Sequence, residues 1–321
     1  MSDRSLPNLI IAGVPKAGTT SLFTYLSYHP DICYSSRKET NYFLPLRFGK
    51  ELPPIDQYIR YFSHCSVEEY IMEASPAYIY GGAAIAQAIQ KQLGDVKIIF
   101  SLRDPVRRSF SFYRYKKSRM EIDQRISFDE YIRICESLQP DEKRKQENTK
   151  YWGIGGGFYV EYLDEWFDVL GESVRIVFFE QLKDDPISVL RELCEWLRID
   201  HTIFDDSLQL STHNITVNYK NPTLQRIAIR VNKQGEMFWR SHPRIKRILR
   251  SMYYAINERP AEETMSDDAV AYLESLFSLH NIRLATQLSK RGYTNLPYWM
   301  VLDDEEKTAG GQRPRTSWVQ R

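Results

Sequence analysis

The stretch that decides the fold is Gly13-Val14-Pro15-Lys16-Ala17-Gly18-Thr19-Thr20-Ser21. The apolar run 9–12 precedes it and the apolar segment 22–26 follows, so the order strand, glycine-bounded loop, helix is predicted. Backbone N–H groups at the start of such a helix bind phosphate-like anions. The glycine spacing matches a nucleotide P-loop, but Thr19 stands where a P-loop kinase places its lysine, and Lys16 lies two residues before the second glycine. The loop therefore predicts an anion site whose cation is displaced.

A second segment points to another phosphate site. The apolar run 98–102 ends in Arg103-Asp104-Pro105, and Ser111 follows eight residues after the arginine. An arginine makes charge-assisted, multi-donor hydrogen bonds to phosphate. Asp104 and Pro105 suit the N-cap and the first position of a helix. The alternative makes Asp104 the metal-holding acid of a nucleotidase or kinase.

The two segments, in this order and about ninety residues apart, resemble the 5′-phosphosulfate loop and the 3′-phosphate motif of sulfotransferases that use 3′-phosphoadenosine 5′-phosphosulfate (PAPS). The segments 73–78 (Glu-Ala-Ser-Pro-Ala-Tyr) and 178–186 (Phe-Phe-Glu-Gln-Leu-Lys-Asp-Asp-Pro) resemble further signatures of the bacterial and heparan-type branch. The resemblance covers roughly residues 7 to 200. It implies sulfuryl transfer from PAPS, with no metal, to a hydroxyl or amine. The heparan-type enzymes often carry a lysine where this chain has Ala74, which argues against a sulfated-polysaccharide acceptor.

The resemblance also assigns the donor-binding residues. Lys16 is expected to stabilise charge on the leaving phosphate oxygen, the step that in-line transfer needs most. Arg103 and Ser111 are expected to bind the 3′-phosphate. Backbone amides and hydroxyls at the helix start are expected to hold the 5′-phosphate, and these belong to Ala17, Gly18, Thr19, Thr20 and Ser21.

The acceptor must lose a proton as it attacks, so a base is needed near the sulfur. Arg37-Lys38-Glu39-Thr40-Asn41-Tyr42-Phe43 resembles the Lys-Glu-x-x-x-Phe segment of the heparan-type branch, which makes Glu39 the candidate base. Lys38, Asn41 and Tyr42 are the candidate acceptor-binding residues. The alternative for Lys38 and Glu39 is an exposed ion pair on a loop. The early histidines, His29 and His64, lie in no catalytic motif and are expected to be structural or surface residues.

Composition limits the partners and the compartment. The chain has 321 residues, with 43 basic and 42 acidic side chains, and this balance argues against a dedicated nucleic-acid binder. The four cysteines, Cys33, Cys65, Cys135 and Cys194, are scattered and predict single buried thiols in a reducing compartment. No signal-like apolar region precedes the first strand, and no run has the length to cross a bilayer. A cytoplasmic protein is expected; the oligomeric state stays open.

Apolar runs alternate with helical patterns, which predicts an α/β fold: a P-loop-like central parallel sheet flanked by helices, with a helical C-terminal part. Residues 1–300 are expected to form a single domain and 301–321 a disordered tail. The charged segment 138–150 is predicted to be an exposed loop or flap. The strands are predicted at 9–12, 32–35, 70–73, 96–102 and 174–179, and the helices at 20–28, 82–93, 105–118, 158–170, 186–197 and 265–288.

Residues 239–254 combine apolar positions at helical spacing with several basic residues. One interpretation is an amphipathic helix packed on the core; the other is contact with an anionic acceptor or a lipid surface. Two other functions remain open for the chain: a P-loop kinase using ATP and magnesium, and a nucleotide-binding module without catalysis. The acceptor itself, whether a small molecule, a lipid or a carbohydrate, is not specified by the sequence.

Overall fold

A five-stranded sheet forms the centre of the protein. The computed structural model describes residues 6–205, 218–234, 243–259 and 263–300, so the predicted tail 301–321 lies outside the described residues. The strands of the sheet are β1 Leu9–Gly13, β2 Ile32–Tyr34, β3 Tyr70–Ala74, β4 Lys97–Leu102 and β5 Val174–Phe178. They follow the order β2-β3-β1-β4-β5 and all pair in parallel. The predicted five strands and the α/β class are confirmed.

The central strand shows why the sheet needs helices on both faces. Leu9 and Ile11 join the apolar cluster on one face, whereas Ile10 and Ala12 join the cluster on the other. All four side chains are fully buried. A strand buried on both faces reads as a continuous apolar run, which is typical of parallel α/β sheets.

Helices cover both faces of the sheet, and short 3₁₀ helices connect several of them. The predicted helices are confirmed, with ends shifted by one or two residues in some cases. The bounds are α1 Thr19–Leu26, α2 Asp56–Ile59, α3 Gly82–Leu93, α4 Pro105–Ser118, α5 Phe128–Ser137, α6 Pro140–Arg144, α7 Tyr159–Leu170, α8 Phe179–Asp184, α9 Pro186–Leu197, α10 Pro222–Gln234, α11 Pro243–Asn257 and α12 Asp267–Lys290.

The segment 138–150 is more ordered than predicted. It contains α6 and most of a 3₁₀ helix at Gln146–Tyr151, so it is not simply a loop, although its residues are exposed or half-buried as predicted. Pro140 occupies the first turn of α6, where its missing N–H costs no hydrogen bond. Asp141 and Glu142 in that first turn, and Lys143 and Arg144 in the last, complement the helix dipole.

Two of the four cysteines are paired. Cys33 on β2 and Cys65 form a disulfide with a Cα–Cα distance of 5.7 Å, so the prediction of single thiols is wrong for them. Cys135 and Cys194 are buried and free, as predicted. The disulfide closes a loop of 32 residues that contains the segment 37–43.

The C-terminal part is helical, as predicted. α10 and α11 are joined near their outer ends by a short antiparallel ladder of β6 Asn218–Tyr219 and β7 Glu258–Arg259. α12 packs against α7 and α4, and its Leu273, Phe277 and Leu284 are fully or almost fully buried. Among the described residues, none of the helices combines the length and apolar content that crossing a bilayer takes.

Candidate functional site

The loop between β1 and α1 has the geometry of an anion site. Gly18 is the N-cap of α1 and has a φ of 77°, a left-handed conformation that favours glycine. No side chain caps the helix and its first turn carries no acidic residue. The N–H groups at the helix start are thus not used by a capping side chain, and the helix dipole adds positive potential there.

Lys16 lies at the bend of this loop, also with a left-handed φ of 74°. Its Nζ lies 4.7 Å from the ring centroid of Tyr115 on α4. Burial first, and then the positive charges of Arg103 and Arg114, lower the pKa of Lys16 to about 8, against an opposing effect of Glu39. The ammonium group is therefore held in a partly dehydrated, positively charged place, where an anionic ligand would stabilise it.

Arg103 joins the end of β4 to the same loop. One of its Nη atoms donates to the backbone oxygen of Lys16 at 3.1 Å, and its guanidinium lies 4.4 Å from the ring centroid of Phe179. The Tyr159 hydroxyl donates to the Arg103 carbonyl at 2.7 Å. Burial lowers the pKa of Arg103 as well. Ser111 lies two turns into α4 and is partly exposed. Two adjacent parallel strands thus bring two cations to one edge of the sheet.

Asp104 is the N-cap of α4, as predicted. Its Oδ1 accepts hydrogen bonds from the amides of Val106 at 2.8 Å and Arg107 at 3.3 Å. Its Oδ2 accepts from the Tyr298 hydroxyl at 2.6 Å. Both carboxylate oxygens are engaged inside the fold, so the geometry favours a capping role over the metal-holding alternative.

The segment 37–43 is held in an unusual conformation. Glu39 and Asn41 both have left-handed φ values, 62° and 55°. The Glu39 amide donates to the Ala74 carbonyl at 2.8 Å, and the Asn41 amide donates to the Ser75 hydroxyl oxygen at 3.0 Å. These contacts fix the segment to the end of β3, beside the β1 loop.

Lys38 and Glu39 form an ion pair at 3.1 Å, as the alternative interpretation of these two residues predicted. The Glu39 side chain is 54% exposed. The charges of both residues nevertheless act on the pKa of Lys16. The ion-pair alternative is therefore present in the structure, and the pair lies close enough to Lys16 to influence its ammonium group electrostatically.

Tyr42 is placed differently from its predicted acceptor-binding role. It is 5% exposed and stacks on Tyr58 with ring centroids 4.4 Å apart. Its hydroxyl donates to the Pro53 carbonyl at 3.0 Å. Tyr42 belongs to the core beneath the segment, and its ring is not accessible for contact with a ligand in this conformation.

Glu73 on β3 is the first residue of the segment 73–78, and the sequence alone assigned it no role. It is fully buried and accepts hydrogen bonds from the Tyr58 hydroxyl at 3.0 Å, from the Ser75 hydroxyl at 3.2 Å and from the Thr40 hydroxyl. Burial raises the pKa of Glu73, and the hydroxyl donors oppose that effect. Since Thr40 lies between Glu39 and Asn41, this buried carboxyl anchors the segment that carries the candidate base.

The two early histidines, His29 and His64, lie outside this cluster. His29 is 2% exposed and its Nε2 lies 2.8 Å from the Asp200 carbonyl oxygen, which is a structural place. Within the described ranges, one group of three side chains has metal-ligating spacing, Cys33, His64 and Cys65, and its two sulfurs form the disulfide.

Comparison with known proteins identifies the family. Residues 6–242 match the sulfotransferase domain family. The chain is 25% identical over 320 residues to the bifunctional heparan sulfate N-deacetylase/N-sulfotransferase of Drosophila melanogaster, which covers 93% of this chain and 27% of that protein. It is 36% identical over 110 residues to the membrane-associated sulfotransferase kil1 of Dictyostelium discoideum, covering 34% of this chain and 23% of that one. The chain thus spans about a quarter of the length of these relatives.

A solved structure shows the same fold. The sulfotransferase from Alicyclobacillus acidocaldarius superposes with a TM-score of 0.66 at 23% identity, over 92% of this chain and 99% of that one.

Proposed function

We propose that this chain, which belongs to the sulfotransferase family, transfers the sulfuryl group of PAPS to a hydroxyl or amine of an acceptor. The observation that carries the proposal is the contact between the two predicted phosphate motifs. Arg103 of the second motif donates to the backbone of Lys16 in the first, so the motifs that are 87 residues apart form one cationic site. A donor with two phosphate-bearing ends needs both.

The residues present fit such a donor. The α1 start, uncapped by any side chain, suits the 5′-phosphosulfate, and the Arg103 guanidinium suits the 3′-phosphate. Lys16 carries a charge that is poorly solvated before the donor arrives, so its interaction with a developing phosphate anion is strong.

The proposed reaction is a single displacement. An acceptor oxygen or nitrogen forms a bond to sulfur while the bond from sulfur to the bridging phosphate oxygen breaks. Glu39 takes the proton that the acceptor loses, and Lys16 stabilises the charge left on the phosphate oxygen. Adenosine 3′,5′-bisphosphate and the sulfated acceptor are the products. None of these steps calls on a metal ion.

The geometry gives the two alternatives less support. A P-loop kinase would require a lysine after Gly18, where Thr19 stands, and a carboxylate free to hold magnesium, whereas both oxygens of Asp104 are engaged. A binding module without catalysis would not require Glu39 to be held in a left-handed conformation at a place where its charge acts on Lys16.

Calorimetry with adenosine 3′,5′-bisphosphate, and separately with ATP and magnesium, tests the donor. We expect micromolar binding of the bisphosphate, loss of at least tenfold in affinity in Arg103→Ala, and no change in the control Arg133→Ala, an exposed arginine on α5. If the protein bound ATP with magnesium but not the bisphosphate, the P-loop kinase alternative would replace this proposal.

Turnover tests the roles. In a sulfation assay over a panel of hydroxyl and amine acceptors, Glu39→Gln and Lys16→Ala should each lower kcat by about a hundredfold or more while bisphosphate binding in Glu39→Gln is kept. Near-normal kcat in both variants would refute the assignment. Lys38 and Asn41 stay the candidate acceptor contacts.

The predicted cytoplasmic location stays a prediction. The Cys33–Cys65 disulfide gives it a direct test, because disulfides persist in oxidising compartments and are rare in the cytosol. Thiol labelling of the protein in intact cells measures this. Two reactive cysteines at these positions would support a cytoplasmic location, and two protected ones would contradict it.

A further inference from the structure

The net positive charge of this protein is concentrated in one region. Between residues 218 and 257 the sequence carries nine lysines or arginines and one acidic residue, Glu236. The whole chain is nearly balanced, with 43 basic and 42 acidic residues. A region this basic attracts anionic partners over distances of about 10 Å at moderate salt.

The described part of the region forms a helical hairpin. The Asn221 amide donates to the Asn257 side-chain oxygen at 2.7 Å, and the Lys220 amide donates to the Asn257 carbonyl at 2.8 Å. The Tyr253 hydroxyl on α11 also hydrogen-bonds Gln225 on α10. These contacts join the start of α10 to the end of α11. The exposed faces of the two helices therefore belong to one surface.

An apolar stripe on α11 faces solvent. Each of its side chains has another member of the stripe three or four residues away, so all share one face of the helix. They are 42 to 67% exposed: Ile245, Ile248, Leu249, Met252 and Ile256. On α10, Ile227 is 54% exposed. The interpretation that this helix packs its apolar face on the core is therefore wrong for these residues. The side chains of Arg247 and Arg250, on the same helix, lie outside the described residues.

The hairpin is attached to the helix that carries the donor site. Gln225 donates through Nε2 to the carbonyl of Ser118 at 2.7 Å. Ser118 is the last residue of α4, one turn beyond Tyr115, whose ring lies against the Lys16 ammonium. A partner bound to the hairpin would therefore lie close to the proposed donor site.

We propose that the hairpin of α10 and α11, through the apolar stripe and its basic residues, docks the enzyme on an anionic lipid surface. Apolar side chains enter the boundary between headgroups and acyl chains while lysines and arginines pair with acidic headgroups, so such a surface satisfies both features. A polyanionic glycan would pair with the basic residues but leave the stripe in water. The exposed isoleucines and leucine therefore favour the lipid surface.

Vesicle sedimentation of the full chain tests the proposal without any turnover measurement. Vesicles of phosphatidylcholine alone are compared with vesicles that contain about 30% phosphatidylserine. We expect binding to the anionic vesicles, much weaker binding to the neutral ones, and loss of binding as salt is raised. Ile248→Ser with Leu249→Ser should weaken anionic-vesicle affinity by roughly tenfold or more. Arg226→Glu with Arg230→Glu, on the exposed face of α10, should also weaken it.

Matched controls separate docking from general effects. Ile203→Ser with Leu279→Ser makes the same two substitutions at apolar residues that are 40% and 66% exposed elsewhere, and should leave vesicle binding unchanged. Arg133→Glu with Arg144→Glu makes the same charge change outside the hairpin. An unchanged midpoint of thermal unfolding shows that each variant is folded.

Three outcomes would overturn the proposal. They are wild-type vesicle binding by the Ile248→Ser, Leu249→Ser variant, binding to heparin but not to anionic vesicles, and concentration-dependent self-association through the hairpin without vesicle binding. Each can occur whether or not the enzyme is a sulfotransferase, so the two proposals fail independently.

Discussion

Donor binding should consume a proton at alkaline pH, because Lys16 is half deprotonated in the free enzyme near pH 8. Burial and the neighbouring arginines lower the pKa of Lys16 from 10.5 to about 8. A bound phosphate adds negative charge beside the ammonium and raises that pKa again. Only the protonated lysine provides the cation, so binding is coupled to proton uptake.

The magnitude follows from the pKa. About nine-tenths of the free enzyme carries a protonated Lys16 at pH 7 and about one-tenth at pH 9. Bisphosphate affinity should therefore fall about tenfold between pH 7 and pH 9, which is about 1.4 kcal/mol. About 0.9 proton should be taken up per bound ligand at pH 9, against about 0.1 at pH 7.

Calorimetry in buffers of different ionisation enthalpy measures the uptake directly. Lys16→Arg keeps a charge that does not titrate in this range, so it should bind without proton uptake and with little dependence on pH. Both phosphates of the ligand are fully ionised between pH 8 and 9 and contribute no slope there. Wild-type binding with no proton uptake at pH 9, or equal uptake in Lys16→Arg, would refute the reasoning.

Further predictions concern stability and the loops. Lys16→Met should raise the free energy of unfolding at pH 7 by up to about 3 kcal/mol, because the unfolded chain protonates this lysine below pH 10.5 and the folded protein only below about 8; the gain should vanish above pH 10.5 in denaturant titrations. Gly18→Ala should cost about 1–3 kcal/mol and weaken bisphosphate binding, since its φ is 77° and its Cβ would lie 2.8 Å from Phe179; thermal unfolding and calorimetry measure both. Glu73→Ala should destabilise by about 2–5 kcal/mol by leaving buried hydroxyls unpaired, and the milder Glu73→Gln should lower kcat with bisphosphate affinity kept; equal kcat in Glu73→Gln and wild type would show that the anchor is dispensable. Cys33→Ser should lower the unfolding free energy by about 3 kcal/mol in oxidising buffer and by far less under reductant.

The sequence alone predicted those features that depend on residues close together along the chain. The five strands are uninterrupted apolar runs, and the phosphate loop follows β1 directly, so the order strand, loop, helix is written in neighbouring residues. The cap at Asp104 depends only on the two amides that follow it and was likewise predictable.

The sequence was insufficient where contacts join distant residues. The Cys33–Cys65 pair depends on how the chain after β2 returns along the sheet, and spacing alone gives no sign of it. The Tyr298 hydroxyl reaches Asp104 across 194 residues. The role of Glu73 depends on hydroxyls from Thr40 and Tyr58, which are 33 and 15 residues away along the chain and meet it only through the tertiary fold.

Tyr42 shows a different cause of error. Its place in a family-like segment suggested an acceptor contact, whereas its ring is stacked within a cluster of buried aromatics. A motif fixes the backbone path of a segment more reliably than it fixes which of its side chains face outward.

The left-handed backbone at Lys16 and Glu39 also affects how this enzyme can be evolved in the laboratory. Each of these residues holds a conformation that glycine adopts freely and that costs an ordinary side chain about 1 kcal/mol. A library ranked only by heat tolerance would thus enrich glycine at both positions, and the most robust clones would lose the proposed leaving-group cation and the proposed base. Selection for durability in this protein has to be coupled, round by round, to a readout of turnover.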